Sequence, residues 1–115
     1  MKLYQWKTMD QEQLNPLFGR KVIHSSNMTI ARVELQKDCV VPEHSHVNEQ
    51  ITMMESGALK FFIDGKELIL RAGDMLVIPP HMPHAVEAVE DSVAVDVFSP
   101  GRSDWVRGDD AYLRR

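Results

Sequence analysis

The sequence has few of the features that mark secreted, membrane or nucleic-acid-binding proteins. Its single cysteine, Cys39, cannot form an internal disulfide, which favours a reducing compartment. No apolar run is long enough to span a bilayer, and the N-terminus lacks the apolar core of a secretion signal. Seventeen acidic and thirteen basic residues give a formal net charge of −4, without a basic cluster to bind nucleic acid or an anionic membrane. We therefore expect a cytoplasmic protein whose partners are neither nucleic acid nor membrane.

The turn signals of the chain predict short strands within one domain, because 115 residues support one core but not two. Apolar runs at residues 58–63 and 66–70 flank Asp64-Gly65, and this pattern is the strongest short-range signal for a β-hairpin. No long segment has the 3.6-residue period of an amphipathic helix. The sequence predicts a single all-β domain, a small barrel or sandwich. Residues 1–20 and 100–115 are expected to be irregular or briefly helical.

Several predicted strands carry apolar side chains on both faces, among them "MLVI" (75–78) and "VAVDVF" (93–98). A strand that is buried on both faces needs something to cover its outer face. In so short a chain the cover is either a second copy of the chain or its own N-terminal segment. We expect a homodimer, with the N-terminal segment as the alternative cover.

Two of the five histidines, His44 and His46, are separated by a single serine. Side chains at this spacing on a strand share a face, and the same parity places Gln50, rather than Glu49, beside them. A third imidazole, His84, opens a later strand after a proline-rich turn. Three imidazoles and an amide oxygen would suit a divalent first-row metal with open coordination positions. A polar barrel mouth with unliganded histidines is the alternative.

Asp96 stands between valines in the middle of a predicted strand, where aspartate is disfavoured. Parity puts Asp96 and Phe98 on one face and the valines on the other, which is a natural packing face. We therefore expect Asp96 to face a cavity, where a carboxylate is costly unless it is paired or functional. Arg102 follows on a Ser-Pro-Gly turn and could fold over the end of the strand. A structural ion pair between Asp96 and Arg102 is the alternative.

These residues resemble the two sequence motifs of the cupins, small conical β-barrels that hold a metal in the mouth. The matching residues are Gly57, Gly73, Pro79, His44, His46 and His84. Gln50 takes the place of the family's glutamate, whereas Asp38 and His81 take the places of two glycines, and Ala88 replaces an asparagine. The resemblance covers about residues 28–98 and implies a single cupin domain, a double-stranded β-helix or jelly-roll barrel with short tails.

Three features carry a narrower resemblance: Gln50, the "IPPHMPH" turn and the ending "DVFSPGRSDW" (96–105). Together they resemble those of the KdgF-type cupins of pectin and alginate breakdown. That family opens the ring of 4,5-unsaturated uronate monomers to give 5-keto-4-deoxyuronate. The metal ligands that this resemblance implies are His44, His46, Gln50 and His84. Asp96 would then be the acid/base and Arg102 would bind the substrate carboxylate. Phe98 would pack against the sugar ring or shape the pocket.

The implied ligand set carries no negative charge, so the full charge of a divalent metal would remain to attract a small anionic substrate. Nickel, zinc, manganese, iron and cobalt all accept imidazole and amide ligands, so the identity of the metal stays open. Two other functions also stay open. One is a different metal-dependent cupin enzyme, such as a dioxygenase or a lyase acting on a small acid. The other is a sugar-binding cupin module without catalysis.

Overall fold

The computed structural model describes all 115 residues, which form ten strands in two antiparallel sheets. The strands are β1 (Glu12–Asn15), β2 (Phe18–His24), β3 (Thr29–Leu35), β4 (Val40–His44), β5 (Glu49–Ser56), β6 (Ala58–Ile63), β7 (Lys66–Arg71), β8 (Met75–Ile78), β9 (His84–Ala88) and β10 (Ser92–Ser99). The larger sheet has the order β1-β2-β3-β10-β5-β8 and the smaller sheet has the order β4-β9-β6-β7. The predicted all-β class is confirmed. None of the helices combines the length and the apolar character that a membrane-spanning helix needs.

The inner faces of both sheets enclose one hydrophobic core of 18 buried residues. Strand β3 shows how the sequence builds it, since Thr29, Ala31, Val33 and Leu35 are buried while the residues between them are half-exposed. This alternation is the period of two that a strand requires when only one face is buried. Each fully buried Val, Leu or Phe side chain contributes about 1.5–3 kcal/mol to the free energy of folding.

The predicted hairpin is present as β6 and β7, which pair from Ala58 with Arg71 to Ile63 with Lys66. Its turn residues, Asp64 and Gly65, have φ angles of 52° and 70°. Positive φ at both central residues is what a type I′ turn requires, and this turn matches the twist of the flanking strands. The hairpin prediction is confirmed.

The expectation that residues 1–20 are irregular or briefly helical is wrong from Glu12 onward. After a 3-10 turn at Trp6–Thr8, β1 and β2 form a hairpin, and β2 pairs with β3 along its whole length. The sequence of β2 lacks a clear alternation of apolar and polar residues, because Arg20 occupies an inward position where an apolar residue is usual. The C-terminal tail is briefly helical, with α1 at Ser103–Val106 and a 3-10 turn at Ala111–Leu113.

The outer face of the larger sheet carries a group of apolar side chains on β8, β5 and β10, and the most exposed of them lie on the edge strand β8. Strands β1 and β2 extend this sheet at its edge instead of lying across the face. The cross-strand registers place six apolar side chains in two adjacent rows across β8, β5 and β10: Val77, Ile51 and Val97, then Met75, Met53 and Val95. Met75 is 71% exposed and Val77 is 58% exposed, which is unusual for side chains of this kind in neighbouring positions.

Candidate metal centre

Three histidines meet at one end of the barrel, although they come from different segments. His44 on β4 and His84 on β9 are cross-strand neighbours whose ring centroids are 4.2 Å apart. His46 lies in the connection between β4 and β5, and its ring centroid is 5.2 Å from that of His84. One ring nitrogen from each of the three lies within 4.8 Å of the others. Imidazole groups at this separation can share one metal ion.

The prediction that His44 and His46 share one strand is wrong, because β4 ends at His44 and the chain then crosses to the larger sheet. A bulge between Val41 and His44 accompanies this crossing. Bulges at such positions redirect side chains. Gln50 nevertheless faces the histidines from the inner side of β5, while Glu49 is exposed to solvent.

Backbone carbonyls orient all three imidazole rings through the same ring nitrogen. Each Nδ1 is 2.8 to 3.0 Å from a main-chain oxygen. His44 contacts the oxygen of Pro42, His46 contacts that of Asn48, and His84 contacts that of Met82. An acceptor at this position selects the tautomer that is protonated on Nδ1. The Nε2 lone pair of each ring is then left to bind a metal, and second-sphere carbonyl contacts of this kind are typical of metal-bound histidines.

Gln50 supplies the clearest indication that the residues present fit a cation. Its Nε2 donates to Thr52 Oγ1 at 2.9 Å and to Asp96 Oδ1 at 3.3 Å, which turns its Oε1 towards His46 Nε2 at 3.0 Å. With Nδ1 of His46 donating to its carbonyl, a neutral ring presents a lone pair to the amide oxygen. Two lone pairs that face each other repel, and a divalent cation bound to both atoms relieves this repulsion.

The alternative, a doubly protonated His46, is disfavoured by the electrostatics of the site. Burial and then the charge of Arg102 are the main causes that lower the pKa of His46 to about 4. Burial likewise lowers the pKa of His44 to about 4 and also depresses the pKa of His84. All three rings are therefore neutral at neutral pH, as metal binding requires.

Asp96 faces the same cavity from β10, opposite Thr52 in the register of the larger sheet. Its Oδ1 accepts hydrogen bonds from Thr52 Oγ1 at 2.6 Å and from Gln50 Nε2 at 3.3 Å, whereas its Oδ2 has no hydrogen-bond donor. Burial raises the pKa of Asp96 to about 6, and the two hydrogen bonds and Arg102 oppose that rise. A carboxyl group with this pKa is mainly ionised at neutral pH and can both accept and release a proton.

Arg102 is buried, with 1% of its surface exposed, and its guanidinium lines the cavity. It does not pair with Asp96. Instead Asp104 accepts from its Nε at 3.0 Å and from its Nη2 at 2.9 Å, and Tyr112 Oη accepts from Nη2 at 2.8 Å. The structural Asp96–Arg102 ion pair considered above is absent. Arg102 Nη1 donates to no protein atom, so part of the guanidinium is available to a ligand.

Aromatic rings hold the guanidinium in place. Arg102 lies 4.7 Å from the ring centroid of Phe98 and 4.4 Å from that of Trp105, and Arg20 stacks on Trp105 at the same distance. Phe98 also packs edge to face on His46, with ring centroids 5.6 Å apart. Phe98 therefore links the histidine cluster to Arg102, and these cation–π contacts restrain the position of the charge.

Two further residues of the site, Thr52 and Tyr112, were not predicted as site residues. Parity places Thr52 on the face of Gln50, which it follows by two residues on β5, but parity assigns it no role. Tyr112 lies on a 3-10 turn in the C-terminal tail, where no periodic pattern predicts the direction of a side chain.

His24 and His81 lie outside the cluster. His24 Nδ1 contacts Thr29 Oγ1 at 2.8 Å, and His81 is exposed in the turn before β9. His81 and Asp38 occupy the positions of two motif glycines, and both have positive φ angles, 67° and 76°. Glycine is the usual residue for that backbone conformation, so these two turns adopt a conformation that favours glycine although neither residue is glycine.

Comparison with known proteins agrees with this architecture. The pectin degradation protein KdgF of Dickeya dadantii is 31% identical over 98 residues, which are 83% of this chain and 89% of that protein. The structure of KdgF from Halomonas sp. is similar with a TM-score of 0.85 and 29% identity, over 90% of this chain and 99% of its own. An RmlC-like cupin from Shewanella frigidimarina has the same TM-score at 22% identity, over 91% and 96% of the two chains, which supports the fold alone.

A family model of the cupin domain, Cupin_2, matches residues 31–99, which include every strand from β4 to β10. This match and the similarity to KdgF extend over most of the chain. The chain belongs to the cupin domain family.

Proposed function

We propose that this protein opens the ring of 4,5-unsaturated uronate monosaccharides to give 5-keto-4-deoxyuronate in the breakdown of pectin or alginate. The observation that carries the proposal is the convergence of a histidine cluster, an ionisable carboxylate and a guanidinium on one cavity. The similarity to KdgF, a pectin degradation protein, supports the same substrate class. The cytoplasmic location expected from the sequence stays a prediction.

The charges around the cavity favour an anionic sugar. The side chains that would hold a divalent metal are His44, His46, Gln50 and His84. None of them is negatively charged at neutral pH, and Arg102 adds a positive charge close by. When bound, the metal would supply a positive charge that attracts and polarises the oxygen atoms of the substrate. Arg102 then binds the substrate carboxylate and Phe98 shapes the pocket beside it.

The reaction is an isomerisation that needs one proton acceptor and one proton donor. The anomeric hydroxyl loses its proton, carbon 1 becomes an aldehyde, and the bond between carbon 1 and the ring oxygen breaks. Its electron pair stays on the ring oxygen as an enolate, and carbon 4 takes up a proton to leave a ketone at carbon 5. No oxidant or reductant is needed. Asp96 takes the first proton on its free Oδ2 and returns a proton to carbon 4.

An absorbance assay on the unsaturated monomer, released from pectin or alginate by a lyase, tests this function. The conjugated double bond absorbs in the ultraviolet and is lost when the ring opens. We expect the protein to accelerate the loss, a chelator to abolish the acceleration, and added divalent metal to restore it. Metal-loaded protein without acceleration would contradict the proposal. Turnover of another small acid, or sugar binding without turnover, would then identify one of the alternative functions.

We also propose that the apolar outer face of the larger sheet binds a second copy of the chain. Exposed apolar patches of this extent mark interaction sites, and closed two-fold dimers are the commonest oligomers. Arg32, beside the apolar rows, forms ion pairs with Glu34 at 3.1 Å and Glu55 at 3.2 Å, so this border of the face carries charges of both signs.

A further inference from the structure

Tyr112 lies in the C-terminal tail and lines the same cavity as His44 and His84. The centroid of its ring lies 4.7 Å from that of His44, and its hydroxyl oxygen accepts a hydrogen bond from Arg102 Nη2 at 2.8 Å. The side chain thus bridges the candidate metal ligands and the guanidinium. Its ring also packs against the hydrophobic core, whereas its hydroxyl contacts only Arg102.

The tail that carries Tyr112 is firmly attached to the barrel. Leu113 is buried in the core, and its main-chain oxygen accepts from Asn15 Nδ2 at 3.2 Å. Asp110, which is 2% exposed, accepts from Arg20 Nη2 at 2.6 Å. These contacts lie on both sides of Tyr112, so the tyrosine ring is held in a defined position next to the cavity.

The hydroxyl of Tyr112 and the guanidinium of Arg102 both retain unused donors. A tyrosine hydroxyl has one proton to donate, and that of Tyr112 goes to no protein atom while its oxygen accepts from Arg102. Asp104 occupies Nε and one Nη2 hydrogen of Arg102, and Nη1 remains without a partner. A carboxylate has two acceptor oxygens, and adjacent donors of this kind are suited to bind both.

We propose that Tyr112 is a substrate-binding residue whose hydroxyl donates to the carboxylate of the sugar acid together with Arg102, an inference that rests on the proposed function. Asp104 is then a positioning residue, because its bidentate contact keeps the guanidinium facing Tyr112. The hydrogen bond from the Tyr112 hydroxyl favours binding of a sugar acid over binding of the neutral sugar that has the same ring. This hydrogen bond is present before and during ring opening, so it contributes to substrate binding and little to the chemical step.

The test compares Tyr112→Phe with Tyr4→Phe, a matched control at the only other tyrosine, which is 47% exposed near the N-terminus. Phenylalanine keeps the ring beside His44 and removes only the hydroxyl. We expect Tyr112→Phe to raise KM for the unsaturated uronate by about 10–100-fold, the usual effect of a hydrogen bond to a charged group, with kcat within about threefold. Metal content should match that of wild type, and the unfolding temperature should fall slightly, because Nη2 of the buried Arg102 loses one acceptor. Tyr4→Phe should leave KM unchanged.

Calorimetric titration with D-galacturonate and D-galactose separates failure of this inference from failure of the proposed function. We expect wild type to bind the acid more tightly than the neutral sugar, and Tyr112→Phe to lose most of that preference. If wild type opens the unsaturated uronate but Tyr112→Phe keeps its KM and its preference, the role of Tyr112 is wrong and the function stands. If wild type binds the acid selectively through Tyr112 without turnover, the function is wrong and the role stands. A wild type that neither binds nor converts a sugar acid overturns both.

Discussion

Replacing Asp96 with asparagine removes the carboxylate and leaves the hydrogen bonds around it in place. Only Oδ1 of Asp96 accepts protein hydrogen bonds, from Thr52 and Gln50. An amide oxygen accepts both bonds equally well, and the amide nitrogen takes the position of the free Oδ2. Gln50 therefore keeps its orientation towards His46, and the metal content should stay at the wild-type level. The unfolding temperature at neutral pH should equal or exceed that of wild type, because a neutral amide carries no buried charge.

The expected loss is confined to the chemical step. An amide cannot take the anomeric proton, and positioned acid–base groups contribute about 10²–10⁴-fold to rate, so kcat should fall by that factor. The absorbance assay measures kcat, elemental analysis measures the metal, and thermal unfolding measures stability. Wild-type kcat in Asp96→Asn with full metal occupancy would refute the acid/base role.

Asp96→Ala separates the proton-transfer role from the structural one. Alanine leaves the buried donors of Thr52 and Gln50 without their acceptor, and each such loss costs about 1–3 kcal/mol. At roughly 5 °C for each kcal/mol in a domain of this size, the unfolding temperature should fall clearly below that of Asp96→Asn. Gln50 also loses a contact that orients its amide, so metal affinity should decrease in the alanine variant alone. Equal stability and metal content in the two variants would contradict the hydrogen-bonding scheme.

Three further changes test other parts of the account. His84→Ala should abolish stoichiometric metal binding measured by elemental analysis, whereas His81→Ala, in the exposed turn nearby, should retain it; loss in both would point to misfolding. Asp110→Asn should lower the free energy of unfolding at pH 7 by about 3 kcal/mol, since Arg20 loses its buried partner. Burial raises the pKa of Asp110, but the hydrogen bonds and charges of Arg114 and Arg20 together outweigh burial and hold this pKa below its usual value. This stabilisation is therefore complete above about pH 4 and declines as the pH falls through the lowered pKa. The difference in the free energy of unfolding between wild type and Asp110→Asn, measured in urea, should therefore shrink at low pH. A difference that stays constant would contradict the stabilising role of the Arg20–Asp110 ion pair. Val77→Glu, on the apolar outer face, should convert a dimer to a monomer in light scattering, and Ile69→Glu, equally apolar but on the smaller sheet, should not; a monomeric wild type would refute the dimer.

The parts of the fold that follow from local rules could be predicted from the sequence. The Asp64-Gly65 turn defined its hairpin because both residues tolerate positive φ. Parity along β10 predicted Asp96 on the inner face because this strand pairs with β3 without a register shift from Ser92 to Phe98. In each case the information lies within a few consecutive residues.

The parts that were wrong or missing depend on contacts between distant segments. Strand β2 could not be predicted because its inward-facing Arg20 is neutralised by Asp110, which is 90 residues away in the chain. His46 leaves the strand of His44 because the chain changes sheets there, and spacing in sequence does not encode a change of sheet. Tyr112 reaches the site only through the docking of the C-terminal tail.

The most direct test of the central claim is proton NMR of the unsaturated uronate in D₂O during ring opening by wild-type protein. In the proposed mechanism Asp96 delivers the proton to carbon 4 from one face of the sugar, which predicts a faster reaction and a single deuterium of one configuration at carbon 4 of the 5-keto product. Asp96→Asn should leave only the slow, unselective reaction. An unaccelerated reaction with metal-loaded wild type, or accelerated ring opening that gives both configurations equally, would contradict proton delivery at this site.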